Sequence, residues 1–393
     1  MAGLPDLERI LPRQGTGSLK WDGAESRFGA PVLPLWVADM DFPVAPCIVD
    51  TMSTRLEHPI FGYPALDTEF CGAARRWWAG QHGWAPPPDS CVITSGVVPA
   101  LFASVRAFSR TGEAAVVPTP VYPPFLDAVR RNGRALRCVP LLQDGGGRYG
   151  MDWNLLDRAL SGARLLLFCS PHNPVGTVWR PDELERLAAL CQKHGVQAIS
   201  DEIHAGLARE PHTSLPALHP TAVLLGSAGK TFNTAGLGGG IAFCSDRTIR
   251  ARFQEELLRS QNHHAPLTGM LAAISAWNDG QEWLRSIQIR LAENARTVAD
   301  YLTRYLPETR YRIPGFGYLA WIDVHAYGTD ARIAAALVEA GLGLSLGPDF
   351  GPGGGGHVRL NFAAPPAVLE EGLHRLRKAL HACRGAAAEP PGG

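Results

Sequence analysis

RLLLFCSPHNPVGTVW occupies residues 164–179, and the break in its middle sets the architecture. The first six residues form a short, almost wholly apolar run, which reads as a buried strand when turn residues bound it. Two prolines then bracket His172 and Asn173, and Gly176 follows, so the strand ends abruptly. A strand that stops in this way presents something at its tip, and here that residue is Asn173. Comparable runs recur along the chain, separated by helical patterns: CVIT (91–94), AAVVP (114–118), VQAIS (196–200), AVLLG (222–226) and GIAFC (240–244). The alternation predicts an α/β fold whose mostly parallel sheet is covered by helices on both faces.

The helical stretches carry their own boundary chemistry. In PDELERLAALCQKHG (181–195), Pro181 suits a first helical position, acidic residues fill the first turn and Gly195 suits the position just past the end. Its apolar residues Leu184, Leu187, Ala188 and Cys191 fall at helical spacing, so it is a packing helix. From Glu282 to Leu306, Leu284, Ile287, Leu291, Val298, Tyr301 and Leu302 mark a longer helix, where a second, smaller domain is expected to begin.

At 393 residues the chain has room for two domains. Lys plus Arg and Asp plus Glu are equal at 37 each, so no global field attracts nucleic acid or an anionic membrane. No apolar stretch is long enough to span a bilayer and no secretory leader is read at the start, so a soluble, cytoplasmic protein is expected. The eight cysteines never form a CxxC pair and read as reduced, mostly buried small hydrophobes rather than a zinc site or disulfide framework.

In open α/β sheets, ligands bind beyond the carboxyl ends of the strands. The residues there are Tyr122 after AAVVP, Asn173 after RLLLFC, Asp201 and His204 after VQAIS, and Ser227 and Lys230 after AVLLG; CVIT leads into the small-residue turn SGVVPAL. Singly, each has an ordinary reading: a turn asparagine, a helix-capping aspartate, an exposed lysine, an interior histidine, a core tyrosine. Together they match the needs of pyridoxal phosphate. That cofactor takes a lysine amine as a Schiff base, a carboxylate at its ring nitrogen, a donor at its phenolic oxygen and a flat group on its face. Its phosphate would sit at the helix start after TSGVV, on the backbone of Val97 and Val98, with the Ser227 hydroxyl as a further donor.

The chain resembles the fold type I pyridoxal-phosphate enzymes, the aspartate-aminotransferase superfamily, and more narrowly the MalY/PatB-type cystathionine β-lyases or C–S lyases. The narrower likeness lies in LPLWVADMDFPVAPCI (33–48), FGYP (61–64), TSGVVPALF (94–102), TPVYPPF (119–125), CSPHNPVGTVW (169–179), ISDEIHAGL (199–207), SAGKTFN (227–233) and VRLNFA (358–363). It implies a large cofactor domain over 45–281, with a mostly parallel, mixed sheet. It implies a smaller α+β domain from 1–44 and 282–393, the last ten residues forming a disordered tail. It further implies that Lys230 carries the cofactor, Asp201 pairs with the pyridinium, Asn173 donates to O3′ and Tyr122 stacks on the ring. His204 stands where many relatives place a tyrosine. Tyr63 would reach the phosphate of a neighbouring subunit, making the protein a homodimer with shared active sites. Arg359 would grip the substrate α-carboxylate, with Ala38 and Asn173 beside it. Where many aminotransferases bind phosphate with an arginine, eight residues beyond the lysine, this chain has Gly238, and MalY/PatB-type lyases resemble it in lacking that arginine.

The expected reaction is β-elimination from an S-substituted L-cysteine, giving a thiol, pyruvate and ammonia. Transamination, or deamination or decarboxylation of an S-cysteine conjugate, is the alternative on the same cofactor, and a regulatory protein-interaction role is the non-enzymatic one. A DNA-binding module is not expected in the short segment before LPLWVADMDF. The side-chain pocket is expected to be lined by the segment around Met40, by partner residues near Tyr63 and by residues 261–269. His263 and His264 of that loop lack partners at metal-ligand spacing, so no metal is expected.

Overall fold

The computed structural model describes residues 3–385. Its principal sheet has seven strands: β1 (Cys91–Thr94), β2 (Ala114–Thr119), β3 (Ala135–Pro140), β4 (Ala163–Cys169), β5 (Gln197–Asp201), β6 (Val223–Gly226) and β7 (Gly240–Cys244). They lie in the order β1-β7-β6-β5-β4-β2-β3. Neighbours are parallel except those of β7, which runs against both β1 and β6. The reason is local. Parallel pairing needs a crossover long enough to carry the chain back along the sheet. Helix α1 (Val97–Phe108) serves between β1 and β2, and α2 (Pro181–His194) between β4 and β5. Between β6 and β7 the only helical element is the 3₁₀ turn Ala235–Leu237, so β7 returns in the opposite direction.

Strand β4 shows why the sheet is buried on both faces. Leu165, Leu167 and Cys169 join the cluster that contains Ala100, Leu101 and Val105 of α1, while Leu166 and Phe168 join Leu184, Leu187 and Cys191 of α2. With side chains alternating between faces, only a continuously apolar strand satisfies both. Helix α2 starts at Pro181, its Glu183 carboxylate accepts from the Arg180 N–H at 2.9 Å, and Gly195 closes it at φ +63°. Positive φ is the reason a glycine ends the helix.

Helix α3 (Gln281–Tyr305) precedes a second, antiparallel sheet of four strands: Arg310–Tyr311, Leu319–Asp323, His357–Asn361 and Ser345–Leu346. Leu33–Pro34 pairs in parallel with Leu342–Gly343 in a separate two-stranded sheet. All eight cysteines are free; Cys169, Cys191, Cys244 and Cys383 are buried, whereas Cys47, Cys71, Cys91 and Cys138 are half-buried, so burial is less general than expected. Of the expected tail, Arg384 and Gly385 still belong to the helix Pro366–Gly385, and residues 386–393 lie outside the described residues. Among the described residues no helix is long and apolar enough to cross a membrane.

Candidate active site

The carboxyl ends of β1, β2, β4, β5 and β6 open on one cavity of about 460 Å³. Tyr122 and Asn173 flank the point where successive connections leave β2 and β4 in opposite directions, the place where open sheets leave a crevice. Beyond β4 the turn is pinned from three sides. Trp179 Nε1 donates to the Cys169 carbonyl at 2.9 Å, the His172 ring bonds the Pro120 carbonyl at 2.9 Å, and Tyr122 N–H donates to the Asn173 carbonyl at 3.2 Å. Asn173 is therefore held, almost fully buried, at the cavity wall. Its Oδ1 faces Arg359 Nη1 at 3.2 Å. Arginine has only donors, so the amide N–H₂ is left for another acceptor.

Lys230 follows β6, and its Nζ donates to the Ala38 carbonyl at 2.6 Å. Burial, then the Arg359 charge, brings its pKa down to about 8, against pulls from Asp39 and Asp201. Asp201 closes β5. Burial pushes its carboxyl up to about 7, opposed by the Ile203 N–H that it accepts at 3.1 Å. The Lys230 charge pulls it down as well, and a carboxylate so placed can accept from a ring N–H⁺. Burial, with Lys230 and Arg359 nearby, lowers His204 to about 3, so its imidazole is neutral and its Nδ1 finds no protein partner. The Tyr122 hydroxyl is raised, first by burial.

An anion cradle lies beside these groups. Gly96, Val97 and Val98 line the cavity at the start of α1, where helix N–H groups have no intrahelical acceptor. Because β7 is reversed, its first residues meet the same end of the sheet, and Gly238 and Gly239 line the cavity too. Gly238 adopts φ +74° with Pro266 against it, which leaves no room for a larger residue without strain. Ser227 differs from expectation: its hydroxyl donates to the Gly239 carbonyl at 2.9 Å and accepts from Gly229 N–H at 3.1 Å. Its single proton thus ties the loop together and reaches an anion only by leaving that bond.

Arg359 sits on strand His357–Asn361, 5% exposed, with its guanidinium 4.9 Å from the Phe350 ring centroid. Nη2 donates to the Trp36 carbonyl at 2.9 Å and the Ser345 hydroxyl at 3.3 Å, and Nε has no partner. Among the described residues no carboxylate pairs with it; burial lowers it to about 10, still charged at neutral pH. Residues 36–42 are lashed down around it. Asn361 Nδ2 donates to the carbonyls of Val37 and Asp39, Asn233 Nδ2 to those of Met40 and Phe42, and the Tyr318 hydroxyl to Ala38 at 3.0 Å. Asn361 and Asn233 lie inside quoted motifs, yet their positioning work was not read from them; Tyr318 was missed altogether.

Lys230, Asp201, Asn173, His204, Tyr122, Val97, Val98, Ser227, Ala38 and Arg359 all line this cavity. Tyr63 does not: it is fully exposed, in a stretch without regular structure. The segment around Met40 lines the cavity through Trp36, Val37 and Ala38, while Met40 itself is buried in the core with its N–H bound to Asn233 Oδ1 at 2.9 Å. Residues 261–269 stand behind the cradle instead: Asn262 bonds the Ser95 hydroxyl and N–H, and Pro266 backs Gly238. The groups that line the cavity suit one flat ligand, with a basic ring nitrogen for Asp201, a carbonyl for Lys230, an oxygen acceptor for Asn173 and a phosphate for α1.

The family described as "Aminotransferase class I and II" matches residues 30–376. The chain is 37% identical to cystathionine beta-lyase PatB of Bacillus subtilis (strain 168), over 95% of this chain and 100% of that protein. It is 34% identical to protein MalY of Escherichia coli (strain K12), over 96% and 100%. Cystalysin of Treponema denticola, solved with a pyridoxal 5′-phosphate cofactor, superposes with TM-score 0.92 at 32% identity, over 96% of this chain and 99% of that one.

Proposed function

This chain belongs to the class I and II aminotransferase family, and from that premise we propose that it is a pyridoxal 5′-phosphate-dependent carbon–sulfur lyase. The substrate is an S-substituted L-cysteine, and with water the products are a thiol, pyruvate and ammonia. The observation that carries the reading is the buried, carboxylate-free Arg359 in the same cavity as the depressed amine of Lys230. Bound there, the cofactor supplies a carbonyl for the substrate amine and a protonated ring that takes up the electron pair left when the Cα–H bond breaks.

The chain's own residues do the rest. Arg359 receives the α-carboxylate on its fork, with Nε among the free donors, and so fixes which Cα bond stands over the ring. Lys230 Nζ, neutral in a substantial fraction near pH 8, takes the Cα proton as general base. The Ala38 carbonyl holds that nitrogen in place. Asp201 would keep the cofactor's ring nitrogen protonated, Asn173 and neutral His204 would offer N–H donors to its ring oxygen, and Tyr122 would cover its ring. Its raised pKa keeps the Tyr122 hydroxyl protonated, able to give its proton to the departing sulfur.

Relatives named cystathionine beta-lyase support elimination over transamination. The decisive measurement is pyruvate release from S-substituted cysteines, with Lys230→Ala as control; loss of the base is expected to cost at least about 10²–10⁴-fold. Glutamate accumulating from 2-oxoglutarate in place of pyruvate would instead mark an aminotransferase, the reading that the family description favours. The same proposal takes residues 45–281 as the cofactor-binding domain and 1–44 with 282–393 as the smaller one, supported by the pairing of Leu33–Pro34 with Leu342–Gly343. It also takes the protein as a cytoplasmic homodimer, with exposed Tyr63 completing a partner's phosphate site; the free cysteines suit a reducing compartment.

A further inference from the structure

Lys20 is completely buried, and the elimination chemistry gives it no task. A buried ammonium persists only where it is paired, and its partners stand in the segment 36–42. Lys20 Nζ donates to Asp41 Oδ2 at 2.6 Å and lies 3.6 Å from Asp39 Oδ1. Arg13 meets the same two carboxylates: Nη1 donates to Asp41 Oδ1 at 2.6 Å and Nη2 to Asp39 Oδ2 at 2.8 Å. Two cations and two carboxylates thus close into one cluster.

The local sequence brings the cations together. Residues 14–23 consist mostly of turns, with Gly15 at φ +73° and Gly17 at φ +75°, and Asp22 accepts from the N–H groups of Gly15 at 2.7 Å and Ser18 at 2.9 Å. The chain is folded back there, so Arg13 and Lys20 reach the same acids. The Lys20 carbonyl also accepts from Trp36 Nε1 at 3.1 Å, which fastens the other end of the segment that carries the acids.

The two acids differ in what they can reach. Asp41 is the buried anchor, its oxygens taken by Arg13, Lys20 and, at 3.0 Å, Trp21 Nε1. Asp39 directly follows Ala38, whose carbonyl accepts from Lys230 Nζ, and it stays outside the cavity lining. Burial and then Arg359 lower the Lys230 amine, while Asp39 and Asp201 oppose them. The other ionisable groups around that amine are His204 and Tyr122 in the cavity and Tyr318, whose hydroxyl shares the Ala38 carbonyl.

Resting on Lys230 as the residue that carries the cofactor and takes the Cα proton, we propose that Asp39 is a positioning residue for that base. Held by Arg13 and Lys20, its carboxylate acts across the Ala38 peptide and sets how tightly the Lys230 nitrogen keeps its proton, without touching substrate or cofactor. Arg13 moderates the effect by offsetting part of the Asp39 charge.

The visible absorbance of the bound cofactor follows the proton on the Lys230 nitrogen, so its pH midpoint in the holoenzyme reads the charge around that atom. Asp39→Asn should move the midpoint down and Arg13→Gln should move it up, each by about 0.5 pH unit or more. The double variant should return close to wild type, because the two charges are removed together. The acid limb of kcat for S-ethyl-L-cysteine should shift in the same directions. Lys20 keeps Asp41 as its partner in all three variants; should one single variant fail to fold, the other single measured against the double gives the sign. Unmoved midpoints, or shifts of both singles in one direction as a purely structural cluster would give, overturn the role of Asp39. Lys230→Ala tests the premise separately: a visible band that still titrates as in wild type removes the lysine assignment. If that band is lost while the Asp39 and Arg13 variants titrate as wild type, only the role of Asp39 falls.

Discussion

At Lys230 the consequence of burial can be measured directly. Only the neutral amine is a nucleophile, and a pKa brought down to about 8 makes it available two units below the ordinary lysine value of about 10.4. Capture of pyridoxal phosphate by apoprotein should therefore speed up with rising pH around a midpoint near 8, followed by absorbance after mixing. A rate that keeps climbing steeply above pH 9.5 would show that the amine is not desolvated as described. Arg359→Lys should lower kcat/KM for any S-substituted cysteine by about 10–100-fold, since a lost charge-assisted hydrogen bond is worth about 1.5–3 kcal/mol. Most of the groups gathered here were legible because each stands directly after an apolar run: Tyr122, Asn173, Asp201, His204, Ser227, Lys230. Arg359 was reached only through VRLNFA, because nothing around it in the chain distinguishes it from a surface arginine. Tyr318 gave no signal, since its hydroxyl acts on Ala38, 280 positions away.

Among the elements, residues 36–42 deserve to be treated as one part, because they have almost no regular structure yet carry the carbonyls of Trp36 and Ala38 that hold Arg359 and Lys230. Asn361→Ala removes the donors to Val37 and Asp39. The change should destabilise the protein by about 1–3 kcal/mol for each carbonyl left buried and unpaired. It should also lower kcat, as urea melts and steady-state rates would reveal; normal turnover in a destabilised variant would mean that Lys230 does not depend on this scaffold. The bounds of β1, β4 and α2 were readable to within a residue, because apolar runs and capping residues are local signals. The direction of β7 was not: an apolar run reads the same in either sense, and the antiparallel return depends on the loop from Ser227 to Gly239. Nor could the sequence say that Met40 itself packs into the core, since Asn233, which holds its N–H and carbonyl, is 193 positions away.

For the molecule as a whole, buried ionisable groups set the response to acid. His172 and His204 are depressed to about 4 and about 3, so the folded protein refuses protons that the unfolded chain binds below about pH 6.5. Each therefore weakens the fold as pH falls from 6.5, by up to about 1.4 kcal/mol per pH unit. Asp201, raised to about 7, acts in the opposite sense between its unfolded value and 7, the folded state holding the extra proton. Urea denaturation of apoprotein between pH 4.5 and 6 should show the His204→Asn variant with a pH slope shallower by about 1.4 kcal/mol per unit; an identical slope would refute the burial effect. The pairing of Leu33–Pro34 with Leu342–Gly343 has a consequence for biosynthesis. The segment with Leu33–Pro34 must wait, unpaired, until residues 342 and 343 have emerged from the ribosome, whereas the seven-stranded sheet can assemble beforehand. Maturation of the catalytic centre is thus deferred past the synthesis of that sheet, and a nascent chain halted before residue 342 would be folded in its middle yet inert.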